Sequence, residues 1–188
     1  MEDVNEYLKR FDEILRQMAN KMLSQRITYN ITLDFIPCMV PHHQAAIYMC
    51  ENLLRFTDYE PLIKIAKGII TMQTTGIEQM QEIAKTTPCM YNCRTDVNNY
   101  ITEYFRITRE MIQKMQNSPR GKNINLNFVE EMIPHHEGAI AMCNNLLKYY
   151  IDPRLRDVAE QIIKEQSKGV KELKQIEEYI CSCNKLMI

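Results

Sequence analysis

Residues 39–50 read Met-Val-Pro-His-His-Gln-Ala-Ala-Ile-Tyr-Met-Cys, and residues 132–143 read Met-Ile-Pro-His-His-Glu-Gly-Ala-Ile-Ala-Met-Cys. These segments hold all four histidines of the chain: His42, His43, His135 and His136. They stand 93 residues apart, and the same offset aligns almost the whole chain without a gap. Met18, Lys21 and Met22 fall on Met111, Lys114 and Met115, and Phe35 falls on Phe128. Leu62, Ala66, Ile69, Gln73 and Gly76 fall on Leu155, Ala159, Ile162, Gln166 and Gly169. Roughly a third of the paired positions are identical, well above chance for an ungapped match of this length. The chain is therefore a tandem duplication, with repeat one over residues 1–93 and repeat two over 94–188.

Identity is uneven along the repeats. It is densest from Met39 to Leu54 against Met132 to Leu147, and it is lost between Lys85–Cys93 and Glu178–Leu186. Core packing alone would spread identity over every apolar stripe. Its concentration around the histidines points to a local chemical constraint.

Each repeat reads as three helices. Val4, Leu8, Phe11, Leu15, Met18 and Met22 fall at three- and four-residue spacing, which predicts a helix over about 4–23 and a counterpart over 96–115. A second helix is expected from Asp34 to about Phe56, and from Asn127 to about Tyr149. Asp34 and Asn127 are good N-caps, and Glu130 completes a capping box in the second copy. A third helix begins near Glu60 and Pro153, where Pro61 and Pro153 suit a first turn. Its apolar stripe is Leu62, Ile65, Ala66, Ile69, Ile70, Gln73, Ile77 and Met80. The short link between second and third helices predicts an antiparallel hairpin. Each hairpin alone would leave an apolar face in water. The expected fold is all-α: one four-helix bundle formed across the duplication, with an extra helix preceding each hairpin. The whole chain, 1–188, is expected to be a single domain.

Composition narrows the function. The net charge is −1 with acids and bases interspersed, so no basic stripe suggests nucleic-acid binding. Charges interrupt the longer apolar runs, so no transmembrane span is expected. The N-terminus, Met-Glu-Asp-Val-Asn-Glu-Tyr, does not read as a secretory signal; the expected location is cytoplasmic, or exported if a leader has been removed. Seven cysteines, an odd number, argue against a closed disulfide framework. There is no Trp, and there are thirteen Met. No nucleophile-and-base pair or phosphate-binding glycine loop is visible, which favours a non-enzymatic protein.

Pro41 and Pro134 fall inside the second helix. An internal Pro removes one backbone bond and strains the preceding turn, at a cost of ~3 kcal/mol. It frees the carbonyls of Pro37 and Glu130. Gln73 and Gln166 lie on the third helix's stripe, where they could satisfy those carbonyls or orient an imidazole.

Met39 and His43 share a helix face, as do Met132 and His136; His42 and Met49 stand two turns apart on one face, as do His135 and Met142. Adjacent histidines diverge by about 100° around the axis, so one helix rarely chelates a metal with both. A site is better completed across the duplication. Thioether and imidazole donors suit Cu(I) and similar ions such as Ag(I). Isolated Met is more often core filler, but the repeated Met-His-His-Met grouping favours ligation. Cys50 and Cys143 could add thiolates. The candidate ligands are Met39, His42, His43, Met49 and Cys50 with Met132, His135, His136, Met142 and Cys143. The rival is a zinc or iron centre in which Cys38 and Glu131 join His42 and His135. The two copies differ at that position, and a di-iron centre needs more inward Glu than this chain supplies. Cys89 and Cys93 end the first unit, and Cys181 and Cys183 lie near the chain terminus; the Cys-x-Cys pair could hold Cu(I) or form a redox pair, and is equally consistent with idle thiols.

The doubled Met-x-Pro-His-His-x-x-x-Ile-x-Met segment, with Leu62 to Gln73 and Leu155 to Gln166 downstream, resembles the signature of the domain-of-unknown-function family numbered 305. The resemblance covers about residues 31–84 and 124–177. It implies a ferritin-like four-helix bundle, and copper or silver binding and resistance for some members. It carries Met39, His42, His43, Met49, Met132, His135, His136 and Met142 as ligands; members are often exported. The combined expectation is a protein that buffers, stores or passes on a soft metal ion. The alternatives are a zinc or iron enzyme and a purely structural or partner-binding helical protein. A homo-oligomer is compatible with the sequence.

Overall fold

The computed structural model describes residues 2–88 and 90–185. Among these residues all regular structure is helical: α1 (Glu2–Leu23), α2 (Ile31–Leu53), α3 (Glu60–Thr86), α4 (Arg94–Gln116), α5 (Ile124–Leu146) and α6 (Pro153–Lys185). The expected three helices per repeat are present.

The order of the layers follows from how the apolar residues are spread around each helix. In α1, Tyr7, Phe11, Ile14, Leu15, Met18 and Met22 are buried and form one stripe. In α3 the stripe is narrower than expected: Leu62, Ala66, Ile69, Gln73, Gly76, Met80 and Ile83 are buried, while Ile65, Ile70 and Ile77 are only half-buried. Helices α2 and α5 have buried residues on nearly every side. A helix that is apolar all round belongs inside the protein. Accordingly α2 packs against α1, α3 and α5, and α5 packs against α4, α6 and α2. α1 also meets α4, and α3 meets α6. The result is three layers of two helices, with α2 and α5 in the middle and each layer pairing one helix from each repeat. One hydrophobic core runs through both copies.

The second helices begin one turn earlier than expected. The caps are Asn30 and Asn123, whose side chains accept from the Leu33 and Leu126 amides. Asp34 and Asn127 instead lie in the first turn and bind the incoming loop. Asp34 Oδ1 accepts from the Thr28 amide and hydroxyl, both at 2.7 Å. Asn127 accepts from the Gly121 amide at 2.8 Å and donates to its carbonyl at 3.0 Å. Two polar residues one turn apart can both serve as caps, and the loop decides which one does. The same helices also end earlier, at Leu53 and Leu146 rather than near Phe56 and Tyr149.

Polar ties repeat the duplication. Asn52 donates to the Tyr7 carbonyl and Asn145 to the Tyr100 carbonyl, both at 3.0 Å. Others cross between copies: the Tyr104 hydroxyl donates to the Met22 carbonyl at 3.0 Å, and the Asp152 amide to Thr32 Oγ1 at 2.9 Å.

Candidate metal centre

The histidines sit midway along the central helices. α2 runs unbroken through Pro37 and Pro41, and α5 through Pro134. In α5 the carbonyl that Pro134 frees is met from the neighbouring loop: Ser118 Oγ donates to Glu130 O at 3.0 Å. Gln73 and Gln166 do not take that role. Both are buried, and their carbonyl oxygens have no hydrogen-bond partner.

All four histidines are buried, and the two repeats bring them together into one row. The His42 and His135 rings stack across the α2–α5 contact, with centroids 3.7 Å apart and planes inclined by 28°. His43 flanks His42 at 6.1 Å, and His136 flanks His135 at 6.0 Å. The central pair is locked by reciprocal bonds: His42 Nε2 donates to the His135 carbonyl at 3.2 Å, and His135 Nε2 donates to the His42 carbonyl at 3.1 Å. A carbonyl only accepts, so each Nε2 carries the proton and each Nδ1 keeps a bare lone pair. The Nδ1 atoms of all four rings are buried without a close hydrogen-bond partner, although the Met39 carbonyl lies near enough to the His43 ring to raise its pKa against burial. An unmet buried polar atom costs ~1–3 kcal/mol, so four in one row call for a bound water or ion.

The row is electrically neutral. Burial, then the charge the His135 ring would carry, lowers the His43 pKa to about 3. Burial lowers His135 to about 4 against the raising effect of the His42 carbonyl. His42 and His136 are driven well below the usual imidazole range, first by burial and then by their neighbouring rings.

The outer rings press on the third helices. A Cβ placed on Gly76 would lie 2.9 Å from His43 Nε2, and one on Gly169 would lie 2.7 Å from His136 Cδ2. Only glycine lets α3 and α6 approach so closely. Gly76→Ala and Gly169→Ala are each expected to destabilise by ~1–3 kcal/mol, because the displaced ring is held in a packed row. The gain in helix propensity, ~1 kcal/mol, offsets part of this. Urea denaturation checks it; Gly68→Ala, where a Cβ meets nothing within 4 Å, serves as the control.

The remaining candidates are buried too: Met39, Met49, Cys50, Met132, Met142 and Cys143. Burial, with Glu51 adding to it at Cys50, pushes the Cys50 and Cys143 thiols far up, so neither offers a thiolate at neutral pH. Met142 Sδ is 3.9 Å from the Thr108 hydroxyl. Among the described residues no three His, Cys, Asp or Glu side chains are arranged to hold one ion. The Cys38, Glu131, His42 and His135 set expected for zinc or iron is therefore not assembled. Glu131, its expected carboxylate, instead accepts from the Tyr7 hydroxyl at 2.6 Å, and burial raises its pKa to about 8. Cys38, its counterpart, has its Sγ 3.2 Å from the Asp34 carbonyl. Cys93 and Cys181 are exposed; Cys89 and the side chain of Cys183 lie outside the described residues. The donors that remain, neutral imidazole and thioether, are those a soft cation prefers.

The fold and the site together describe a duplicated helical protein with a buried histidine row. The chain belongs to the family described as Domain of unknown function (DUF305), whose model matches residues 9–84 and 105–177. Among solved structures it is similar to CopM in the Cu(II)-bound form, at 26% identity and a TM-score of 0.58, over 79% of this chain and 96% of that one. It is also similar to a DUF305 fragment from Deinococcus radiodurans, at 18% identity and a TM-score of 0.57, over 79% and 96% of the two chains; that likeness concerns the fold alone. No curated protein matches the chain. Among the described residues no helix is long and apolar enough to cross a membrane.

Proposed function

We propose that this protein binds copper without catalysing a reaction, as a buffer, a store or a resistance factor. The observation that carries the reading is the row of four buried imidazoles with unmet Nδ1 atoms. The proposed ligands are drawn from His42, His43, His135 and His136 together with Met39, Met49, Met132 and Met142. Cu(I), or Ag(I) in its place, fits this set best, because the donors are neutral and soft and the surroundings are dry. A neutral row also needs no proton to leave before an ion binds. The relative solved with Cu(II) supports copper as the element. Cys50 and Cys143 stand in reserve, because each must lose a proton that burial holds in place.

Anaerobic Cu(I) titration against a competing chelator tests the reading. His42→Ala/His135→Ala is expected to lose at least tenfold in affinity, equivalent to about 1.4 kcal/mol. Met39→Leu/Met132→Leu conserves volume and keeps the fold, so its expected loss reports on ligation itself. Copper affinity unchanged in both variants would remove the proposal.

A further inference from the structure

The histidine row is buried, so an ion needs a way in. Two clefts open between α3 and α6, on the face of the molecule towards which His43 and His136 point. The 93-residue offset turns one cleft into the other: Gly76 becomes Gly169, Gln79 becomes Glu172, and Met72 exchanges with Glu165. They occupy equivalent places, but only one reaches a histidine. The smaller cleft, about 160 Å³, ends on His43. The larger, about 780 Å³, is walled by Ile65, Ile69 and Ile176 and does not touch His136.

The smaller cleft is also lined by Gln73 and Gln166, which are 1% and 4% exposed. Their buried Oε1 atoms have no hydrogen-bond partner. A buried amide oxygen left unmet in a cleft is a neutral ligand in waiting for a cation. Met72, half-buried on the same wall, adds a thioether. At the inner end His43 Nε2 faces Gly76, the one residue of α3 that leaves the ring room.

We propose that the cleft between α3 and α6 is the loading route to the histidine row. A soft cation is first held at the Met72 thioether, with the Gln73 and Gln166 oxygens as weaker ligands that replace its water and release it readily, and then passes to His43. This rests on the copper reading above. It assigns Gln73 and Gln166 a function that no bond within the protein explains, and it makes the two repeats unequal: ions arrive at His43, not at His136.

Gln79 is exposed on the wall of this cleft, outside the proposed ligand set. Gln79→Trp should plug the route and leave the row intact. Two measurements on the full chain follow. Stopped-flow mixing with Cu(I) should show uptake slowed at least tenfold in Gln79→Trp, with equilibrium affinity unchanged. Without metal, diethyl pyrocarbonate followed by peptide mass spectrometry should modify His43 well before His136, and Gln79→Trp should abolish that lead. Gln73→Leu/Gln166→Leu should slow uptake while leaving the order of histidine modification unchanged. Equal reactivity of His43 and His136, or Gln79→Trp rates equal to wild type, overturns the route. Failure of the copper reading looks different: wild type takes up no copper at all, whatever the histidine reactivities.

Discussion

Acidifying the metal-free protein from pH 7 to pH 5 is expected to cost it ~5 kcal/mol of stability, and further acid towards pH 4 is expected to unfold it. In the folded chain burial holds all four imidazoles below their ordinary values, His43 at about 3 and His135 at about 4. In the unfolded chain each titrates near 6.5. Below that value the unfolded state binds more protons than the folded one, so stability is present above pH 6.5 and is lost as pH falls towards the folded values. Four such groups give a slope of ~5 kcal/mol per pH unit, as an upper bound. Glu131 acts in the opposite direction, since its folded pKa of about 8 keeps a proton that the unfolded carboxyl gives up above about 4.5. The net slope below pH 6 is then ~4 kcal/mol per pH unit, enough to exhaust a typical stability of ~5–15 kcal/mol within two or three units. Urea midpoints by circular dichroism between pH 7 and 5 measure this. A bound ion that requires neutral rings should move the acid transition to lower pH. A flat profile across that range would mean that the rings are not held in a dry row.

Glu131→Gln is expected to stabilise the protein at alkaline pH by ~3 kcal/mol or more. Burial is the main cause of the raised Glu131 pKa, while the Tyr7 hydrogen bond and Arg120 work against it. For a carboxyl with a raised pKa, stability is full below about pH 4.5 and is lost as pH rises through about 8. Glutamine keeps an acceptor for the Tyr7 hydroxyl and carries no charge. The variant should therefore match wild type at pH 5 and exceed it at pH 8.5, in urea denaturation at both values. An equal difference at both pH values would show that the substitution acts through packing alone.

The duplication made much of this architecture legible. The offset between His42 and His135 becomes a physical contact, their rings stacked about the junction of the two copies. The α1 stripe keeps Phe11, Leu15, Met18 and Met22 where the apolar spacing puts them, but Tyr7 and Ile14 are buried while Val4 and Leu8 are only half-buried. Other features depend on neighbours that no spacing reveals. Asn30 and Asp34 are both plausible caps, and only the loop bond from Thr28 separates their roles. Ser118, not Gln166, meets the carbonyl that Pro134 frees, because the loop after α4 folds back over α5. The shared Gly76 and Gly169 were visible as a match, but their reason, the rings of His43 and His136, lies on another helix. Glu131 reads as a metal ligand beside His135 until Tyr7, from the other repeat, is found bonded to it. The signal available in the sequence was the mismatch itself, Glu131 against Cys38, immediately before the stretch where the copies agree best.

The central claim is that the buried row, with its methionines, holds copper. X-ray absorption at the copper edge of the Cu(I)-loaded full chain tests it most directly. The expected spectrum has both a nitrogen shell with imidazole multiple scattering and a sulfur shell, with the imidazole features reduced in His42→Ala/His135→Ala. A shell of oxygen alone, as surface carboxylates would give, or a spectrum unchanged in the double variant, would contradict it.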